Sequence, residues 1–225
     1  VVKYTPVFEQ IEKASPNVKA FEITPIYSDK RSKRSLRADN LDELVSSIEL
    51  LCETNSENFI LAYSDNPDGL LHKYGAYSDE VKEFIHEAEN KIEAMCNKLS
   101  DDTVVIISAD HGHKNIEKAY TILDYPEILD CLIMPASLES RFLTFLVKDN
   151  MKKEFEERFN NAFKDEFLLL TTEEFLNRNF LGFGDKHPKV DEFLGNYVAL
   201  STAGSMIRLE TFLAEGKKVK KSTHC

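Results

Sequence analysis

Residues 103–113 read T-V-V-I-I-S-A-D-H-G-H, an unbroken apolar run that passes straight into metal-binding side-chain types. A short apolar run bounded by polar turn formers fits a strand covered on both faces, so Val104–Ser108 is expected to be a buried central strand. A strand of that kind belongs to a parallel sheet flanked by helices. In such sheets ligands gather in the crevice beyond the carboxyl ends of the strands. Asp110 and His111 would stand there, offering one carboxylate oxygen and one imidazole nitrogen to a divalent ion. Gly112 would let the backbone turn sharply or approach closely.

A second stretch repeats this logic. Asn58–Tyr63 reads as a strand with F-I-L-A-Y at its centre, and it spills into Ser64-Asp65-Asn66-Pro67-Asp68-Gly69, a run of turn formers. His72 follows Asp68 by four residues, so a helical turn starting near Gly69 would put both on one face. Tyr77–Leu99 is the clearest helix, because Val81, Phe84, Ile85, Ala88, Ile92, Met95 and Leu99 keep a 3.6-residue period. Strand, polar loop, helix, strand, polar loop is βαβ order, which directs both loops to the same edge of a mainly parallel sheet.

Composition narrows the function. The net charge of −11 excludes a general nucleic-acid binder, which needs a basic face. A small phosphorylated substrate remains compatible, because bound cations reverse the local field. No apolar run reaches the roughly 18 residues of a membrane span, and no signal peptide is visible. The four cysteines (52, 96, 131, 225) are far apart and form no CxxC. Free thiols in apolar contexts fit a reducing, cytoplasmic setting. Lys30, Arg31, Lys33, Arg34 and Arg37 crowd one polar run, either a solvated loop or a loop that meets substrate phosphate.

The rest of the chain supplies further elements. Pro6–Ala14 is expected to be a helix and Val18–Ile23 a strand. A helix capped by Asp39 or Asn40 should run to about Cys52, with Leu41, Leu44, Val45, Ile48 and Leu51 as its stripe. Beyond His113 the pattern changes to a short helix over Ile122–Leu129 and strands over Cys131–Met134 and Phe142–Val147. A helix over Met151–Phe163 with Phe155, Phe159 and Phe163 on one stripe follows, then a strand over Phe167–Leu170. Thr171 or Thr172 should cap a helix over Glu173–Asn179. Gly182–Pro188 reads as a loop, Tyr197–Ser201 and Met206–Glu210 as the arms of a hairpin, and Gly216–Lys221 as a basic exposed stretch. The expected division is a core over 1–127, an inserted α+β piece over 128–182, and a return to the core over 183–225.

With both loops placed, the chain resembles the alkaline phosphatase superfamily, in its type I phosphodiesterase/nucleotide pyrophosphatase branch. The residues that carry the resemblance are Pro67-Asp68-Gly69-Leu70-Leu71-His72-Lys73-Tyr74-Gly75 and Ser108-Ala109-Asp110-His111-Gly112. The resemblance implies a three-layer α/β/α fold and two divalent ions, zinc foremost, with manganese or magnesium as alternatives. Asp68 and His72 would hold one ion, and Asp110 and His111 the other. A late histidine would add a ligand to the first ion. His224 fits the family order, placed after the expected hairpin, and His187 is the alternative. His113 would stand behind the ligands. The implied activity is metal-dependent hydrolysis of phosphodiester or phosphoanhydride bonds in a small substrate.

The resemblance also has gaps. The family's Thr or Ser nucleophile and its early Asp ligand have no counterpart, since Thr5 lacks any preceding strand. The chain opens V-V-K-Y-T-P without Met. The expectation is therefore a C-terminal part of the enzyme, inactive alone. A phosphomutase of the same superfamily, and a non-catalytic binding domain with this fold, are the rival readings.

Overall fold

The computed structural model describes residues 4–209 and 220–224. They fall into two compact units, Val1–Ser108 and Ala109–Cys225.

The first unit is built on α1 (Val7–Ala14), β1 (Lys19–Thr24), β2 (Arg34–Arg37), α2 (Leu41–Cys52), β3 (Asn58–Ala62), α3 (Asp68–Tyr74) and α4 (Asp79–Cys96). Its sheet has the order β2-β1-β3 and is parallel throughout, with Ile23 opposite both Leu36 and Ala62. The Asn40 side chain starts α2 by accepting the Glu43 N–H at 2.9 Å, as expected of an N-cap. From there the helical period brings Leu44, Ile48 and Leu51 onto Phe21, Ile23, Leu36 and Ile60, which share one sheet face. Ser78 caps α4 in the same manner, and Val81 and Met95 are its buried residues. The Lys91–Asp42 ion pair fastens α4 to α2, and Lys98–Glu49 holds the turn after α4 to α2.

On the other sheet face Phe8 of α1 meets the edge of Phe59. Beside them lies Glu22, a fully buried carboxylate. It accepts the Arg31 and Ser32 backbone N–H groups, the Arg31 Nε and the Ser35 hydroxyl. Burial pushes this carboxyl up, but the four donors outweigh it and hold it below its ordinary value of 4.5. Its stabilising effect is therefore present above about pH 4.5 and lost as pH falls through the depressed value. Replacing Glu22→Ala strands buried donors and is expected to cost about 3 kcal/mol. Urea titrations at pH 7 and pH 3 check both points, because the penalty should shrink at the lower pH.

Three residues of the basic run make contacts within this unit. Arg31 is bound to Glu22, Arg34 to Glu12, and Arg37 to Thr24 Oγ1 and the Pro25 and Ser28 carbonyls. Arg31 and Arg37 thus brace the loop between β1 and β2, and Arg34 ties β2 to α1.

The expectation for Val104–Ser108 needs correction. The segment joins no sheet, and Val104, Ile106 and Ile107 are 83%, 84% and 72% exposed. An apolar run states that burial would be favourable. A strand also needs a neighbour to take its backbone hydrogen bonds, and no described residue bonds the backbone of residues 104–107.

The second unit contains β4 (Lys114–Asn115), β5 (Lys118–Thr121), α5 (Pro126–Leu129), β6 (Ser137–Glu139), β7 (Phe142–Phe145), α6 (Lys152–Phe163), β8 (Phe167–Thr171), α7 (Thr172–Asn177), α8 (Val190–Leu194), β9 (Tyr197–Ser201), β10 (Ser205–Arg208) and β11 (Ser222–Thr223). An antiparallel sheet of order β6-β7-β9-β8 packs against α6. The stripe Phe155, Phe159 and Phe163 is buried and meets Phe145, Phe167 and Tyr197. Thr171 begins α7 with a reciprocal capping box to Glu174. Gly195 (φ 66°) lies where a Cβ would sit 2.6 Å from the Phe145 carbonyl oxygen, so glycine alone fits.

Several expectations change here. Tyr197–Ser201 and the stretch from Met206 are not hairpin arms. β9 pairs with β7 and β8, whereas β10 runs parallel to β5. The Ser201 hydroxyl bonds the Ala203 and Ser205 carbonyls and makes the corner at which the chain changes sheets. β9 completes the sheet that β6–β8 form, and the two units adjoin in sequence at Ser108/Ala109. Residues 131–134 supply only an isolated bridge from Leu132 to Val147, because the chain turns there after the short α5. The readings at Glu210 and over 216–219 lie outside the described residues.

Candidate metal centre

Asp68 and His72 occupy the first and fifth positions of α3, so the helical repeat places them on one face. His72 Nε2 stands 3.5 Å from Asp68 Oδ1. The loop that precedes α3 is tethered within its unit by the Tyr27 hydroxyl, which donates to Asp65 Oδ2 at 2.7 Å. That hydrogen bond, reinforced by the nearby carboxylates, pushes the Tyr27 phenol up to about 12. A pocket of about 210 Å³ opens at the carboxyl ends of β1, β2 and β3, lined among others by Pro25, Asp39, Asn40, Asp65 and Asn66. Sequence reading did not single these residues out as a group. Their common signal is position, since each lies within four residues after a strand of one parallel sheet.

The second unit carries the remaining candidates. β4 and β11 pair antiparallel, Thr223 opposite Lys114 and Ser222 opposite Asn115. One step further in that register His224 faces His113, and their ring centroids are 5.4 Å apart. His111 lies two residues before His113, so both can address the same side of the chain. Its ring stacks on His224 at 4.1 Å and an interplanar angle of 29°. The His111–His113 centroids are 5.4 Å apart.

Around this trio the polar partners are specific. Asp110 Oδ1 accepts the His111 backbone N–H at 3.0 Å and stands 3.6 Å from His111 Nε2. His113 Nδ1 is 3.1 Å from the Ser222 hydroxyl, a bond that orients the ring. His111 Nδ1 is buried, with no hydrogen-bond partner among the described residues. A buried polar nitrogen without a partner is costly. Among three imidazoles and a carboxylate, a divalent cation of borderline softness is the ligand that would relieve it. The residues present therefore fit such an ion.

The outcome for the other candidates is uneven. His187 lies on an exposed loop, where its Nδ1 accepts the Lys189 N–H at 3.1 Å, and the structure does not bring it to the trio. Gly112 is not in the left-handed region, and a Cβ on it would meet nothing within 4 Å. A left-handed turn therefore does not account for glycine at this position.

Comparison with known proteins gives a consistent picture. Residues 8–134 match the type I phosphodiesterase / nucleotide pyrophosphatase family. Among curated proteins none matches in sequence. Among solved structures, the chain is similar to murine ectonucleotide pyrophosphatase / phosphodiesterase 5, with TM-score 0.67, 17% identity, and coverage of 98% of this chain and 59% of that one. The human protein of the same name gives TM-score 0.66 at 16% identity, with the same two coverages. Phosphonoacetate hydrolase from Sinorhizobium meliloti 1021, in complex with phosphonoformate, gives TM-score 0.65 at 15% identity, covering 97% of this chain and 64% of that one. At these identities the likeness is one of fold, an alkaline phosphatase-like α/β architecture. The chain spans less than two thirds of the length of each.

Proposed function

The chain belongs to the type I phosphodiesterase / nucleotide pyrophosphatase family, and from that premise we propose that it carries metal-binding residues of a phosphoric ester hydrolase acting on phosphodiester or phosphoanhydride bonds. Asp68 and His72 are ligands of one divalent ion, and Asp110 and His111 of another, with His224 completing one of the two sets. The observation that carries this reading is the buried, unpartnered Nδ1 of His111 in the stack with His224. What such ions supply is neutralisation of phosphoryl charge and a lowered pKa for an attacking hydroxyl.

The chain's own residues act by holding and orienting. Asp110 keeps one oxygen on the His111 N–H, which fixes the carboxylate beside the ring it would share an ion with. The Ser222 hydroxyl sets the tilt of His113, which stands behind the ligands. The substrate is a small phosphorylated molecule, and the AMP complex of an inactive murine form of the neighbour makes a nucleotide the first to try. The reading extends to a reducing, cytoplasmic compartment, supported by the free thiols of Cys52, Cys96 and Cys131.

None of the named residues is a hydroxyl nucleophile. The isolated chain is accordingly expected to bind zinc weakly and to hydrolyse bis-p-nitrophenyl phosphate negligibly. Zinc titration against a chromophoric chelator, followed by the hydrolysis assay with and without zinc, checks both. Brisk turnover by the 225-residue chain would overturn the reading of it as part of an enzyme. Absence of zinc binding would overturn the metal assignment.

A further inference from the structure

The four-stranded sheet of the second unit is apolar on both faces, and the two faces are not covered alike. Alternate residues of β7, β8 and β9 point to opposite sides. Leu143, Phe145, Phe167, Tyr197 and Ala199 lie with α6 in one cluster, all at most 4% exposed. Phe142, Leu168, Leu170, Val198 and Leu200 lie in another, together with Phe175 and Leu176 of α7 and Leu194 of α8. α6 has twelve residues, whereas α7 and α8 have six and five. Under this shorter cover Phe142, Leu168 and Leu200 are only partly buried.

The stretch from the end of α7 through α8 also turns apolar side chains outward. Phe180, Leu181, Phe183 and Phe193 are 52%, 60%, 96% and 65% exposed. Both ends of this stretch are pinned to the core. Phe180 stacks on the buried Phe175 ring at 5.3 Å, and Leu194, next to Phe193, is buried in the same cluster. Large apolar side chains left in water on an anchored segment mark an interaction surface. Its charges balance. Arg178, Lys186 and Lys189 stand against Asp185, Asp191 and Glu192, all exposed, in a chain whose net charge is −11.

We propose that Phe180, Leu181, Phe183 and Phe193 form the centre of a two-fold interface with a second copy of this chain. A two-fold contact sets a patch against itself, so an apolar centre with both signs of charge around it is self-complementary. The lysines of one copy then meet the carboxylates of the other. Two chains of net charge −11 repel each other, and a locally neutral patch is where they approach at least cost. A nucleic acid or an anionic membrane would call for a basic rim, which three cations against three anions do not give. The inference is independent of the hydrolase reading and of any bound metal.

Sedimentation velocity on the 225-residue chain over a rising concentration series, with metal removed, tests it. A monomer–dimer equilibrium is expected, with amides of residues 180–193 gaining hydrogen-exchange protection as the dimer fills. Phe183→Asp should raise the dimer dissociation constant by about 100-fold or more, because a two-fold contact loses the side chain twice. Since Phe183 is 96% exposed, the thermal midpoint of the dilute chain should not change. Lys186→Glu combined with Lys189→Glu makes the patch acidic and should weaken the dimer as well, less so at high salt. A monomer at every concentration overturns the proposal. So does a dimer that Phe183→Asp leaves intact. A chain that stays monomeric but sediments with phosphatidylserine vesicles, and loses them with Phe183→Asp, overturns it in favour of a membrane surface.

Discussion

His111→Ala is expected to lower the zinc affinity of the chain by about 100-fold or more. Residues that merely orient a ligand account for roughly 10–100-fold in metal affinity, so a ligand should exceed that range. The substitution removes the stack on His224, the approach to Asp110 and the buried Nδ1 together. The far-ultraviolet circular dichroism should not change, because Asp110–His113 belong to no helix or strand. His224→Ala should follow His111→Ala, and His187→Ala should behave as the parent. A larger loss from His187→Ala than from His224→Ala would reverse the assignment of the late ligand. In an active longer form, His111→Ala should abolish zinc-dependent hydrolysis of bis-p-nitrophenyl phosphate. Chelation of the parent with a strong zinc chelator should reproduce that loss.

Phe159→Ala is expected to destabilise the second unit by about 3–5 kcal/mol, the usual cost of truncating a fully buried aromatic ring. Phe159 is fully buried, and its ring meets those of Phe145, Phe155, Phe163 and Phe167 at centroid distances of 5.0–6.4 Å. Removing it opens a cavity that α6 and the four-stranded sheet can close only by moving against each other. The midpoint of thermal unfolding should fall by roughly 10–20 °C for a unit of this size. Differential scanning calorimetry measures it. Phe159→Leu keeps most of the volume and should recover much of the loss. Equal, small losses in both variants would mean that the core relaxes around the vacancy, contrary to the interlocked ring geometry.

Where one element decides its own structure, the sequence is easy to read. α4 is legible because its apolar residues keep helical spacing behind a capping serine, and the Phe stripe of α6 for the same reason. Asp68 and His72 are legible as a pair because the helix that joins them is local. Pairing between distant segments is another matter. β4 and β11 have two residues each, too short for any period, yet their register is what brings His224 to His113 and His111. Tyr197–Ser201 and Ser205–Arg208 look like a hairpin because they are neighbours in sequence, and only the strands waiting for them show that they part. The run at 104–107 carries the pattern of a central strand without the neighbour that would make it one.

The pairing of β4 with β11 also sets a clock. His111 and His113 leave the ribosome long before His224, and at about 5–20 residues per second the interval is of the order of 5–20 s. Throughout that time the nascent chain holds two of the three imidazoles and cannot assemble the cluster. A cluster that needs all three rings is thereby deferred until the β11 segment that pairs with β4 has emerged.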